Sequence, residues 1–309
     1  MKEILVNLKR FDVPRKKGGI CPFDNPEDWI NSVIEKTVRL GLGEISDISL
    51  TFFLPEALII SAVNKLKQSP LAKGHNIRIG SQGVFRKDIN PGVNFGAFTT
   101  NLPATAAKNM GCSWTIIGHS EERADKLGIL EEFEPTIKFK AGLLAKANET
   151  VDRIINYQIN NALAAGLNVL MCVGETAEEK GDGAFDAQKS SIKAVLKRQL
   201  LLGLKGIKEK LNQKKLAIGY EPIWAIGPGK IPPGKEYISF VSQYIKETVR
   251  KSFGFVPIVV YGGGLKEENA AMISNIETID GGLVALTRFS GEIAFEVEGL
   301  KRIIEQYRQ

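Results

Sequence analysis

Glu221 ends a short apolar run, Leu216-Ala217-Ile218-Gly219-Tyr220, and is followed at once by Pro222-Ile223-Trp224-Ala225-Ile226-Gly227-Pro228-Gly229-Lys230. The run is bounded by Lys214 and Lys215 and reads as a buried strand carrying one carboxylate at its C-terminal end. Pro222 biases Glu221 away from helix, while Gly227 and Gly229 free the middle of the segment. An acid beside a loop that hinges at its ends has the form of a catalytic base under a lid that closes on substrate and excludes water. The plain alternative is an exposed loop acid beside a glycine turn, so the rest of the chain has to decide.

Other residues add chemistry. The chain has two histidines, and His75 sits in a polar turn before a strand, where a solvated role suffices. His119 follows an apolar strand and a glycine; it is either a core histidine or, at a helix N-terminus that disfavours its charged form, a neutral hydrogen-bond donor. Asn7 and Lys9 lie two apart at the end of an apolar run, which a strand would place on one side. Lys9 is then a surface lysine, a Schiff-base nucleophile or a fixed positive charge, and Glu121 and Glu221 nearby favour the last. Gly262-Gly263-Gly264 offers consecutive backbone N–H groups for an anion where a plain turn is the alternative.

Composition narrows the partners. The 309 residues are 43% hydrophobic, enough for a large core. With 41 basic against 35 acidic side chains and no basic block interleaved with aromatics, a nucleic-acid partner is not expected, and a small anion suits the charge equally well. No stretch has the apolar length of a membrane span, and Met1 to Lys9 is too short and charged for a signal peptide, so a cytoplasmic protein is expected. Cys21, Cys112 and Cys172 are too scattered for a disulfide framework or a zinc site; they read as reduced thiols, and no metal or cofactor is expected.

The elements that must position these residues recur in order. Apolar, β-branched runs occur at Ile4–Leu8, Ile48–Phe53, Ile77–Ile79, Trp114–Ile117, Val169–Val173, Leu216–Ile218, Pro257–Tyr261 and Leu283–Leu286. Helical spacing follows most of them, as in Ile30, Val33, Ile34, Thr37 and Val38 after the start signal Asn25-Pro26-Glu27, or Phe240, Val241, Tyr244, Ile245 and Val249. Eight strand-helix repeats predict an α/β fold, one closed parallel (β/α)8 barrel over residues 1–309. A doubly wound sheet is disfavoured because the first strand lacks a Gly-x-Gly-x-x-Gly turn. Enlarged loops are expected at Arg10–Asn25, Phe85–Gly96 and Ile129–Ala147. The strand ends that carry chemistry share one face, which gathers Asn7, Lys9, His119, Glu221, Gly262 to Gly264 and Ala285-Leu286-Thr287-Arg288, with Ser120 expected to cap the helix after strand four.

Taken together, Asn7-x-Lys9, Ile116-Ile117-Gly118-His119-Ser120-Glu121, Cys172-Val173-Gly174-Glu175, Gly219-Tyr220-Glu221-Pro222-Ile223-Trp224-Ala225-Ile226-Gly227 and Tyr261-Gly262-Gly263 resemble the triosephosphate isomerase family, in order and over nearly the whole chain. The resemblance implies a TIM barrel with Glu221 as the base at the carbon beside a carbonyl, His119 shuttling protons between the two oxygens, Lys9 stabilising the enediolate and Asn7 orienting Lys9. It also implies a lid from Pro222 to Lys230 that includes Trp224 and Gly227, and a homodimer in which Thr99 of Gly96-Ala97-Phe98-Thr99 reaches a neighbouring site near Asn7 and Glu121.

Departures from the family pattern cluster where the substrate's phosphate would bind. Gly264 stands for the family's serine, and Ala285-Leu286-Thr287-Arg288 stands for Gly-Gly-Ala-Ser, so Arg288 is expected to supply a charged contact while Leu286 crowds the approach. Ile231-Pro232-Pro233-Gly234 in the lid, Thr100-Asn101 in the dimer loop and the insertion Arg10–Cys21 also differ. The expected function is a cofactor-free aldose–ketose isomerase of a small sugar phosphate, either triose phosphate or a tetrulose phosphate. A Schiff-base aldolase using Lys9 and a non-catalytic sugar-phosphate-binding paralogue are the other readings.

Overall fold

The structure, a computed structural model, describes residues 1–69, 76–211, 215–227 and 229–309. His75, Lys214 and Pro228 of the lid lie outside the described residues. Eight parallel strands, β1 (Lys2–Asn7), β2 (Ile48–Leu54), β3 (Ile77–Ser81), β4 (Trp114–Ile117), β5 (Asn168–Val173), β6 (Leu216–Tyr220), β7 (Ile258–Tyr261) and β8 (Gly281–Val284), close into a barrel in chain order, with β8 pairing β1. The helices between and after them are α1 (Pro26–Arg39), α2 (Glu56–Lys67), α3 (Ala104–Asn109), α4 (Ser120–Phe133), α5 (Ala141–Ala164), α6 (Ala177–Lys180), α7 (Phe185–Gly203), α8 (Lys235–Phe253), α9 (Glu267–Ser274) and α10 (Val297–Tyr307). None of the described helices is long and apolar enough to cross a membrane.

Strand periodicity divides the core in two. Leu5, Phe53, Trp114, Ile116, Leu170, Cys172, Ala217, Val260 and Leu283 fill the barrel, while their neighbours Ile4, Val6, Phe52, Ile117, Val169, Ile218, Val259 and Val284 face the helices. Both faces of each strand are thus apolar, which is why continuous hydrophobic runs marked them in the sequence. Local signals start the helices as expected: Asn25 accepts the Glu27 N–H before Pro26 of α1, and Thr176 and Glu179 form a reciprocal capping box at α6.

Four expectations change. Strand eight lies two residues earlier than Leu283–Leu286, because Gly281 and Gly282 belong to it; a Cβ at Gly281 would sit 1.9 Å from the Glu3 carbonyl oxygen, so only glycine lets β8 approach β1. Strand one ends at Asn7, and Lys9 has left-handed backbone, φ 43°, so the period of two does not carry Lys9 to its place. His119, not Ser120, is the N-cap of α4. The enlarged region Ile129–Ala147 is mostly helical, comprising the end of α4, a 3₁₀ segment Pro135–Phe139 and the start of α5.

Candidate functional site

At the C-terminal mouth of the barrel the chain turns sharply after β1. The Asn7 side-chain oxygen accepts the Lys9 N–H at 3.0 Å, closing a short turn that stops the strand and allows the left-handed residue. Gln82, just past β3, braces that turn by donating to the Lys9 carbonyl at 2.9 Å, to Asn7 Oδ1 at 3.2 Å and to the Phe53 carbonyl at 3.3 Å. Lys9 Nζ meets Glu121 Oε1 at 2.7 Å. Burial works against the Glu121 carboxylate, but the Lys9 ammonium outweighs it and holds the carboxyl below its usual range.

His119 sits at the junction of β4 and α4, and its tautomer follows from its partners. The Glu121 N–H can only donate, and it points at His119 Nδ1 at 3.3 Å, so Nδ1 is an acceptor and the ring proton of the neutral imidazole is on Nε2. Nε2 lies 3.1 Å from Glu221 Oε1.

Glu221 follows β6 inside the barrel wall, where its N–H donates to the Val173 carbonyl at 2.8 Å. It is only 2% exposed. Its second oxygen accepts the Ser120 N–H at the α4 N-terminus at 3.0 Å. Burial raises its pKa above the ordinary carboxylate value, although His119, the Ser120 N–H, Lys9 and Arg123 pull the other way. Cys172 packs beside it and, buried and facing that carboxylate, stays a protonated thiol. Gly174 opposes Glu221 so closely that a Cβ there would be 1.8 Å from the Glu221 carbonyl oxygen.

The segment after Glu221 is fastened at its base. Trp224 Nε1, Tyr220 Oη and Tyr237 Oη all donate to Glu175 Oε1, each at 2.8 Å, so one carboxylate joins the strand, the loop and the start of α8. Desolvation raises the Glu175 pKa against those three donors. Lys180 Nζ rests 4.4 Å from the centre of the Trp224 ring. Farther out, Gly227 and Gly229 take positive φ of 121° and 73°, and Ile231 is 83% exposed.

Across the mouth, the N–H groups of Gly227, Gly264, Ala285 and Leu286 donate to no protein group among the described residues. The glycines of β7's loop serve packing as well: a Cβ at Gly262 would lie 2.7 Å from the Tyr220 carbonyl oxygen, and one at Gly263 2.3 Å from Tyr261 Oη. Only Gly264 needs its left-handed φ, 93°. Arg288, expected from the sequence to supply a charged contact to a phosphate, is engaged with protein groups in the structure. It lies in a hairpin closed by the Arg288 and Ala294 pairing, and its guanidinium donates to Glu296 Oε1 at 2.6 Å and to the Glu292 carbonyl. Arg15 of the inserted segment pairs with Glu292 at 2.9 Å, tying that segment to the hairpin. Thr99 is exposed on the loop after β3 and touches neither Asn7 nor Glu121 of its own chain.

The structure therefore brings together Asn7, Lys9, His119, Glu121 and Glu221 at one mouth, with Trp224 anchoring the segment beside them. The sequence reading missed Gln82, whose only local signal was a polar residue just past an apolar strand in a barrel. Among the described residues, no group of three or more His, Cys, Asp or Glu side chains is arranged to hold a metal ion.

Known proteins share this architecture. The family model described as triosephosphate isomerase matches residues 35–304. A triosephosphate isomerase of Alkaliphilus metalliredigens is 32% identical over 263 residues, covering 83% of this chain and 90% of that protein. One from Chloroherpeton thalassium is 31% identical over 224 residues, 72% of this chain and 75% of its own length. The crystal structure of triosephosphate isomerase from Bartonella henselae superposes with a TM-score of 0.65 at 22% identity, covering 100% of this chain and 99% of that one, a likeness of fold. On the family match and the extent of these alignments, the chain belongs to the triosephosphate isomerase family.

Proposed function

We propose that this isomerase interconverts an aldose and a ketose phosphate without a cofactor, with glyceraldehyde 3-phosphate and dihydroxyacetone phosphate as its substrate pair. The observation that carries the reading is the buried Glu221 carboxylate facing a neutral His119 Nε2–H, with the Lys9 ammonium on the same mouth. Glu221 takes the proton from the carbon beside the carbonyl, and the C–H electron pair moves into the carbon skeleton as the carbonyl becomes an enediolate oxygen. His119 delivers its Nε2 proton to that oxygen and recovers one from the neighbouring hydroxyl, while Lys9 balances the negative charge. Glu221 then returns its proton to the adjacent carbon.

To act, the carboxylate exchanges the Ser120 N–H for the substrate, and closure of the Pro222 to Lys230 lid supplies the occasion. Lys9 Nζ is committed to an ion pair with Glu121, which suits a fixed positive charge better than a Schiff-base nucleophile. The substrate's phosphate is assigned to the N–H groups of Gly227, Gly264, Ala285 and Leu286, which have no partner among the described residues. The Leu286 side chain changes this corner, so tetrulose phosphate is the second substrate to measure. An isomerase assay across triose, tetrulose and pentulose phosphates tests the reading; no turnover of any of them would overturn it, and a higher kcat/KM for tetrulose phosphate would move the substrate assignment.

Two results are expected from the same assay. Gln82→Ala removes the brace on the Lys9 turn and lowers kcat by about tenfold, the rate equivalent of a lost hydrogen bond of roughly 1–1.5 kcal/mol. A parent-like kcat would remove Gln82 from the site. Arg288→Ala leaves KM for phosphorylated substrates near the parent value because the guanidinium is committed to Glu296. It weakens the hairpin by about 0.2–1 kcal/mol, the usual worth of a part-exposed ion pair, seen in thermal melts. A large rise in KM would restore Arg288 as a phosphate contact.

The reading also makes the protein a homodimer in which exposed Thr99 completes the Asn7 and Glu121 end of a second copy. Val93 and Phe95 on the same loop are 71% and 80% exposed, and Glu121 is open to an incoming group. Sedimentation equilibrium tests it.

A further inference from the structure

Gly118, the residue before His119, is held through both of its flanking peptides. Gly118 has left-handed φ, 76°, where the chain reverses from β4 into α4. Its N–H donates to Glu122 Oε2 at 2.6 Å, and its carbonyl accepts Arg123 Nε at 2.8 Å. The second Glu122 oxygen accepts Lys126 Nζ and Gln158 Nε2, both at 2.7 Å, so the carboxylate cannot rotate without breaking three charge-assisted bonds. Gln158 is 5% exposed and also donates to the Val84 carbonyl, two residues beyond the Gln82 that braces Lys9.

We propose that Glu122 is a positioning residue for His119. Both its oxygens are engaged, and it acts through the Gly118 N–H, fixing the Ile117–Gly118 peptide while Arg123 fixes the Gly118–His119 peptide. Fixing Gly118 in this way sets the backbone of His119 as the α4 N-cap, and only in that setting does the Glu121 N–H meet Nδ1 and leave the ring proton on Nε2. The Lys126 cation balances the Glu122 charge locally, while Arg123 is paired with Asp152, so the role of Glu122 is geometric rather than a field on the imidazole. Through Gln158 and the Val84 carbonyl, the same carboxylate couples the histidine's support to the loop that supports Lys9. The kinetic part of this inference rests on the isomerase reading; the tautomer part does not.

The test measures kcat, KM and the imidazole ¹⁵N signals of the full-length protein and of Glu122→Ala, Glu122→Gln and Glu122→Asp. With only two histidines in the chain, His75→Gln assigns the spectrum. In Glu122→Ala, kcat is expected to fall by about tenfold with KM nearly constant, and the His119 signals to move from a single Nε2–H tautomer toward the average of both. Glu122→Gln, which still accepts from the Gly118 N–H, restores most of both. Glu122→Asp, one methylene short, behaves like alanine and carries the test if alanine does not fold. Parent-like ¹⁵N signals in folded Glu122→Asp would overturn the proposal. If the parent shows no isomerase activity while the signals move as described, positioning stands and the isomerase reading falls.

Discussion

Replacing Glu221 with glutamine is expected to lower kcat by roughly 10²–10⁴-fold, the contribution of a well-placed general base, with KM near the parent value. The amide fills the same space, its one oxygen accepting from either Ser120 or His119, but cannot take a proton, so ligand binding survives and chemistry does not. Stability should move the opposite way. Burial lifts the Glu221 carboxyl above its ordinary 4.5, so the folded protein binds that proton more tightly than the unfolded chain. The stability supplied by the protonated acid is full below pH 4.5 and is lost as pH rises through the raised folded value. Glutamine resembles the protonated acid at every pH, so Glu221→Gln should melt higher than the parent at neutral pH, and the gap should close below pH 4.5. Steady-state kinetics and thermal melts at the two pH values read both halves; parent-like turnover would remove Glu221 as the base.

Gly174→Ala should damage the fold and the site together. The added Cβ would meet the Glu221 carbonyl oxygen at 1.8 Å and its carbonyl carbon at 2.7 Å. Both contacts are backbone, so the clash is relieved only by parting the ends of β5 and β6. Gly174 cannot retreat easily, because the buried Gln199 amide accepts its N–H at 2.9 Å and donates to its carbonyl at 2.8 Å. A cost of about 3 kcal/mol, the upper end for overpacking, is expected in denaturant unfolding. Moving Glu221 by even about 1 Å would cost on the order of 10²-fold in kcat. Gly128→Ala in α4 is the control: a Cβ there meets nothing within 4 Å, so stability should hold or rise slightly. Equal behaviour of the two variants would refute the account of Gly174.

The strands were legible because a closed parallel barrel buries both strand faces and leaves an apolar run for each. β8 was the exception, since its first two residues are glycines, Gly281 against the passing Glu3 backbone and Gly282 against the Leu265 side chain, and glycine carries no strand signal of its own. The site's reactive groups were legible by type: a lone acid before a proline, one histidine after a strand and glycine, and a lysine past an asparagine. Their supports were not. Gln82 lies 75 residues from Asn7, and Gln158 lies 36 from Glu122, distances at which no local pattern announces a hydrogen bond. Lys9 was placed on the right face for the wrong reason, by an assumed pleat where the Asn7 side chain makes a turn. The partner of Arg288, Glu296, stands across a hairpin with bends at Ser290 and Gly291, so that ion pair was not legible from local spacing either.

Because β8 returns to pair with β1, every strand of the barrel has a neighbour on each side and the sheet has no free edge. A foreign strand, or a second copy of this chain, therefore finds no row of unpaired backbone groups on the barrel to extend. Any association through the barrel's surroundings has to be written in side chains on loops and helices, such as Val93 and Phe95, rather than in a backbone ladder. Such contacts are open to adjustment one residue at a time, so assembly can change in this protein without a change in the sheet that carries its chemistry.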